Sequence, residues 1–281
     1  MGILPFTLHP FPLMSERLQT LIQAVDAADS SLLLINAVQN LAASELEGSI
    51  PTLIKALGYN NPGAAVAAVD GLIQIGEPAV PALLDQLDQH NYTARAWAIR
   101  ALAGIGDPRG LVTLLGAATA DFALSVRRAA AKGLGTMKWH WFPKDLLEIA
   151  QEEALESLLF VAQQDDEWIV RYSAVVGLQT LAGAIAAYPE WRSQIHHQFE
   201  QMTTQDNSWA VRARACEAQR QLKIAVEPVQ PQDDRPSSLQ SHDWQAVLAK
   251  LYERKGHERL VLSEGDPRRY RDLAVAIGRK V

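Results

Sequence analysis

The chain has 281 residues, 48% of them hydrophobic, and a formal net charge of −6. That length can bury a large core in one or two domains, and the acidic balance argues against general nucleic-acid binding. The single cysteine, Cys216, excludes a disulfide framework or a cysteine-based metal site and suits a reducing cytoplasm. With no apolar run of about 18 residues, no membrane span is expected.

Residues 1–14 open with MGILPFTLHPFPL, which holds three prolines and lacks the basic start of a secretory signal. They read as a leader or a disordered tail, with Met14 as an alternative start. Ser15 to Val25 and Leu32 to Ala43 form an imperfect helix pair, capped at the Asp29-Ser30-Ser31 break. The chain then repeats itself with a period of about thirty residues, over Gly48 to Gly76, Pro78 to Gly106 and Asp107 to Gly135. Two copies with drift follow, Glu153 to Leu181 and Ser193 to Lys223. Each copy has an apolar helix, a polar break and an Ala-rich helix. Asn61, Asn91, Ala123, Glu167 and Ser208 fall at the position that caps the second helix. Gly76, Gly106 and Gly135 stand where a left-handed cap ends it, and Pro51, Pro78, Pro81, Pro108 and Pro143 lie near first-helix starts.

The expectation is an all-α protein: an α-solenoid of helix pairs over residues 15–224, with the Ala-rich second helices on its inner face. The segment TMKWHWFPKDLLEIAQ interrupts the period before the fourth repeat, with Trp139, His140, Trp141 and Phe142 expected to be partly exposed. Residues 225–242, rich in Pro, Gln, Asp and Ser, read as a linker. Residues 243–281 read as a small helical extension, with helices over Asp243 to Arg254 and Tyr270 to Ile277. From Asp233 onward Lys and Arg outnumber Asp and Glu by ten to eight, which leaves −8 on the rest of the chain.

Four of five aligned second helices share an arginine, Arg95, Arg127, Arg171 and Arg212. Such a ladder can hold ligand carboxylates by bidentate bonds or bridge the repeats internally. Three residues before it runs a stripe of Pro62, Tyr92, Leu124, Trp168 and Trp209, suited either to a flat conjugated ligand or to helix packing. Trp97 and Arg100 fall off the apolar face formed by Ala94, Ala98, Ala101, Leu102 and Ile105, so they are candidates for an exposed binding face. No zinc, P-loop, nucleophile-elbow or dinucleotide motif occurs. His196 and His197 are adjacent rather than spaced for a helical metal site, and Cys216 reads as packing.

The segments NNPGAAVAAV, NYTARAWAIRALAGIGDPR and DFALSVRRAAAKGLG resemble those of the E/F-type phycobilin lyases of cyanobacteria, most closely the F-type side of that family. The likeness covers about Ser15 to Lys223 and is densest over Tyr59 to Gly135. It implies HEAT-like repeats, a heterodimer with an E-type subunit, and thioether attachment of phycocyanobilin, as substrate and not as a bound cofactor, to a cysteine of the phycocyanin alpha subunit. It further implies a place in the cytoplasm near phycobilisomes. Under that resemblance Asp121, beside Phe122 and ahead of Arg127 and Arg128, is the candidate to activate the bilin. The candidate bilin- or partner-binding set is Tyr92, Arg95, Trp97, Arg100, Phe122, Arg127, Arg128, Trp139, Trp141, Trp168 and Arg171. The Asn-His-Cys-Gln-Gly string of isomerising relatives is missing, which favours simple attachment. The alternatives are a non-catalytic binder of phycobiliproteins in phycobilisome assembly or degradation, and a generic protein-interaction scaffold.

Overall fold

Six helix pairs stack in chain order, as the period predicts. They are α1 (Phe11–Asp26) with α2 (Ser31–Ala42), α3 (Ile50–Leu57) with α4 (Pro62–Ile75), and α5 (Val80–Leu87) with α6 (Tyr92–Ile105). Then come α7 (Leu111–Ala120) with α8 (Leu124–Gly135), α9 (Lys144–Gln164) with α10 (Trp168–Ala184), and α11 (Pro189–Gln205) with α12 (Trp209–Ile224). A last helix, α13 (Trp244–Ser263), follows. The computed structural model describes residues 11–87, 91–224 and 234–263, and no strand occurs among them. The expected Tyr270 to Ile277 helix lies outside the described residues.

Local chemistry sets the helix starts. Asn61 and Asn91 accept from the N–H groups of Ala64 and Ala94, each at 3.1 Å, and so cap α4 and α6. The next three second helices are capped differently from the expectation. Asp121, Asp165 and Asp206 lie two residues ahead of Ala123, Glu167 and Ser208 and accept from their N–H groups at 2.9, 2.9 and 2.8 Å. A short carboxylate bends back on its own backbone in this way. Gly76 and Gly106 end α4 and α6 at φ 77° and 70°, where a side chain would be strained.

Gly135 has another role. It lies inside α8, and a Cβ there would stand 2.2 Å from the carbonyl oxygen of Gly177 on α10. The pair allows α8 and α10 to meet backbone to backbone. Buried alanines do the same elsewhere, Ala64, Ala68, Ala98, Ala101, Ala130, Ala131, Ala174 and Ala215 among them. Consecutive second helices therefore approach more closely than first helices do, which sets the inner side of the stack.

The interruption before α9 folds inward. Trp139, Trp141 and Phe142 are buried, which corrects the expected partial exposure. Trp139 stacks on Phe142 at 5.3 Å between centroids. The C-terminal segment completes this cover. Asp234 accepts from Trp141 Nε1 at 2.8 Å and lies 2.7 Å from His140 Nε2. Leu239 and Leu251 are fully buried, and Trp244 reaches Phe142. From Asp234 the expected linker is thus seated on the repeats, and α13 lies along α7 and α9.

Candidate functional site

Three rungs of the arginine ladder have identified partners. Arg95 Nη1 donates to Asp121 Oδ2 at 2.8 Å. Arg127 Nε and Nη2 donate to the two Asp165 oxygens at 2.7 and 3.2 Å, and Arg171 Nε and Nη2 to those of Asp206 at 2.8 and 2.9 Å. Each guanidinium reaches the turn of the following repeat. Its remaining edge turns back to its own repeat: Arg127 Nη1 to the carbonyls of Asp121 and Phe122, Arg171 Nη1 to those of Asp165 and Asp166. The bonds to Asp165 and Asp206 outweigh the cost of burial and raise the pKa of Arg127 and Arg171. These are bridges between repeats, so Arg127 and Arg171 are not free to receive a ligand carboxylate. Arg95, with one such bond and a third of its side chain exposed, is the most open of the three.

Asp121 does not fit the role of proton donor to a ligand. Its side chain is 1% exposed, one oxygen takes the Arg95 bond and the other takes the Ala123 N–H. It holds the turn between α7 and α8. Trp139 and Trp141, buried under the C-terminal segment, offer no binding face either.

A different set of cations lies on the outward side of the second helices. Trp97 on α6 is half-buried rather than exposed, because it also packs on the core. The Arg100 guanidinium lies over its ring, 4.3 Å from the centroid. Arg100 makes no ion pair among the described residues. Burial lowers its pKa, and repulsion by Arg128 of α8 lowers it further, against attraction from Asp70 of α4. Arg128 is exposed, and Lys132 stands one turn beyond it. Two like charges, one of them held over an indole, are suited to a ligand that carries carboxylates.

A second surface runs along the edge where second helices begin. Phe122 and Leu124 are 78% and 44% exposed, and Trp168 and Trp209 are 46% and 76% exposed. They head α8, α10 and α12 in succession; the side chain of Tyr92 at the start of α6 lies outside the described residues. Between the ends of α7 and α9 is a depression of about 280 Å³ lined by Thr119, Asp121, Arg127, Phe160, Asp165 and Asp166, among others.

One buried cation escaped the sequence reading. Arg109 donates through Nε to Asp107 Oδ1 at 2.9 Å and also bonds the Glu77 carboxylate of the preceding repeat. Burial would lower its pKa, but these carboxylates together raise it. The Asp-Pro-Arg string after Gly106 was the available signal, a turn in which a carboxylate caps its own arginine.

The chain is similar to known proteins over most of its length. A family model described as HEAT repeats matches residues 80–179. Phycocyanobilin lyase subunit beta of Pseudanabaena tenuis is 63% identical over 277 residues, 94% of this chain and 98% of that protein. The subunit of the same description from Nostoc sp. is 50% identical over 201 residues, 72% of this chain and 98% of its own length. Among solved structures, one from the complex of CpcE and CpcF of phycocyanin lyase from Nostoc sp. is 51% identical with a TM-score of 0.56, covering 61% of this chain and 98% of that one.

Proposed function

Because the chain belongs to the phycocyanobilin lyase subunit beta family, we propose that it is the F-type half of a heterodimeric lyase. It works with an E-type subunit in the cytoplasm beside phycobilisomes, holds phycocyanobilin, and promotes its attachment to a cysteine of the phycocyanin alpha subunit. The reaction is an addition. The acceptor thiol adds across a carbon–carbon double bond of the bilin, a C–S bond forms, and the thiol proton ends on the tetrapyrrole. Nothing leaves, and the nucleophile comes from the acceptor. The lyase contribution is therefore to hold the pigment in one orientation, and positioning of this kind supplies on the order of several kcal/mol without a catalytic triad.

The observation that carries this reading is the cluster of Trp97, Arg100 and Arg128. A bilin is flat, conjugated and carries two propionates. Trp97 holds the Arg100 guanidinium in one plane, so its N–H edge is presented to a carboxylate at reduced entropic cost. Arg128 of the neighbouring α8 supplies the second cation. A dianion relieves the repulsion between them.

Co-expression with phycocyanin alpha, a bilin source and an E-type subunit tests the reading. Zinc-induced fluorescence of the denatured alpha subunit reports the covalent adduct. The adduct is expected with both subunits present and absent with either alone. Full activity of this chain by itself would overturn the pairing.

A further inference from the structure

We propose that the C-terminal segment, residues 234–254, is a brace across the first-helix side of the third, fourth and fifth helix pairs, and that it sets the spacing of Arg100 and Arg128. The proposal rests on the bilin-holding reading above, and gives that site a positioning element.

The first ground is where the brace is anchored. Ser238 Oγ donates to Glu77 Oε1 at 2.7 Å, just ahead of α5. The same carboxylate takes the Arg109 guanidinium from the turn ahead of α7. Glu77 and Arg109 thus form a joint between the third and fourth pairs, and the brace closes on it. Burial and then the Arg109 charge lower the pKa of His242, which sets that residue over the same joint. At the far end Arg254 Nη2 donates to Ser157 Oγ of α9 at 3.2 Å. Its Nε stands 3.5 Å from Glu153 Oε2, on a side chain only 1% exposed. A charge buried this deeply holds its counter-charge close, because stripping it of a partner is costly. Between these ends Leu239 and Leu251 are fully buried, and Trp244 Nε1 donates to the Leu239 carbonyl at 2.9 Å.

The second ground is leverage. A Cβ on Gly133 of α8 would stand 2.6 Å from Ala103 Cβ of α6, and Gly135 meets Gly177 of α10 as closely. Close-packed contacts of this kind give little, so neighbouring pairs turn about them as about a hinge. The first helices lie on one side of that hinge line, and Arg100 and Arg128 lie on the other. Solenoid curvature is the sum of such small turns between repeats. Repulsion between Arg100 and Arg128 works to part them, and parting them presses the first helices together. The brace lies along α7 and α9 and reaches the turn before α5, on the side where the lever is long. Being a helix anchored at both ends, it has a fixed length and resists that turn. The two guanidinium groups then wait at the separation that one dianion spans, and less order is lost when it binds.

The family suits an adjusting role. The Pseudanabaena subunit is matched along 94% of this chain and the Nostoc subunit along 72%, each over 98% of its own length. Shorter members therefore exist, and a segment that tunes the repeats without building them is one that such members can lack.

The test uses the full chain. Leu239→Asp with Leu251→Asp undocks the brace, since an unpaired carboxylate is not tolerated at either buried position, and it leaves every residue of the six pairs in place. Hydrogen exchange over residues 244–254 reports the undocking, and thermal melting followed by circular dichroism shows that the helix pairs persist. Absorbance titration with phycocyanobilin should show affinity weakened by about fivefold or more, the lower end of coupling between separate sites. Linkage supplies a second measurement on the unaltered chain, which decides alone if the variant loses its helix pairs. Saturating phycocyanobilin must slow exchange of residues 244–254 by the same factor. Wild-type pigment affinity in the undocked variant overturns the proposal, as does exchange that pigment leaves unchanged in the unaltered chain. Tighter pigment binding on undocking makes the segment a restraint, and tighter binding of the E-type subunit with pigment affinity unchanged makes it a cover over that interface; both sink the proposal. If the unaltered chain binds no phycocyanobilin, alone or with the E-type subunit, the bilin reading itself falls.

Discussion

Arg127 and Arg128 are neighbours on α8, yet they live in opposite electrostatic conditions. Arg127 gives bonds to both Asp165 oxygens and two carbonyls, and these raise its pKa. Arg128 is exposed, forms no ion pair among the described residues, and adds to burial in lowering the pKa of Arg100. The periodic Arg95, Arg127 and Arg171 bridge repeats, while Arg100 and Arg128, off that register, make no ion pair among the described residues. In a repeat protein, a cation that recurs at every register position is therefore weak evidence for a ligand. The cation that breaks the register and lacks a carboxylate is the better candidate.

The largest expected effect comes from breaking a ladder rung. Asp206→Ala leaves the Arg171 guanidinium buried with only amide and carbonyl partners, and removes the Ser208 cap. The loss should be about 3–5 kcal/mol, as for other buried pairs stripped of one member. Chemical denaturation measures it. Bilin bound per folded molecule should stay at the wild-type level. An undiminished stability with lost pigment affinity would reverse the assignment of the two arginine sets.

Arg100→Gln is expected to do the opposite. Removing one of two mutually repelling charges should change stability by no more than about 0.5 kcal/mol. Bilin affinity should fall by about tenfold or more, the scale for loss of a charged anchor. Arg100→Lys should restore only part of it, because an ammonium lacks the planar fork and stacks less well on Trp97. Trp97→Ala is less clean than a surface change, since the half-buried ring also packs on the core. A stability cost on the order of 1–3 kcal/mol accompanies its effect on binding.

The sequence made the helix pairs legible because their signals are local. Asn caps, glycines after second helices and alanine spacing each act within one repeat. Gly135 was misread because its partner, Gly177, lies in another repeat, and a glycine needed for close approach looks like one needed for a cap. Burial of Trp141 depends on Asp234, ninety-three positions later, so no local pattern announces it. The helical period correctly set Trp97 and Arg100 off the main apolar face. It missed the flanking helices that half-cover the indole. The open charge of Arg100 was not legible either, since that requires knowing which carboxylates other arginines have already taken.

The smallest effect tests whether a paired arginine is electrically quiet. His242, whose ring meets Trp244 edge-on at 4.8 Å, has its pKa lowered from 6.5 by burial first and by Arg109 second, while Asp107 and Asp243 oppose this. A histidine with a folded pKa below its unfolded one binds fewer protons when folded. Its contribution to stability is complete above the unfolded value and is lost as pH falls from about 6.5 toward the folded one. The C-terminal segment should therefore lose amide protection on going from pH 7.5 to 5.5, while the α8–α10 contact does not; hydrogen exchange reads both. Asp107 is what keeps the Arg109 field short, through bonds to Nε and Nη2. Asp107→Asn should unmask that field and move the His242 titration, followed by NMR, to still lower pH. A titration that stays in place, with the segment still docked, would mean that pairing does not decide which arginines act at a distance, and the division drawn between Arg127 and Arg128 would lose its electrostatic basis.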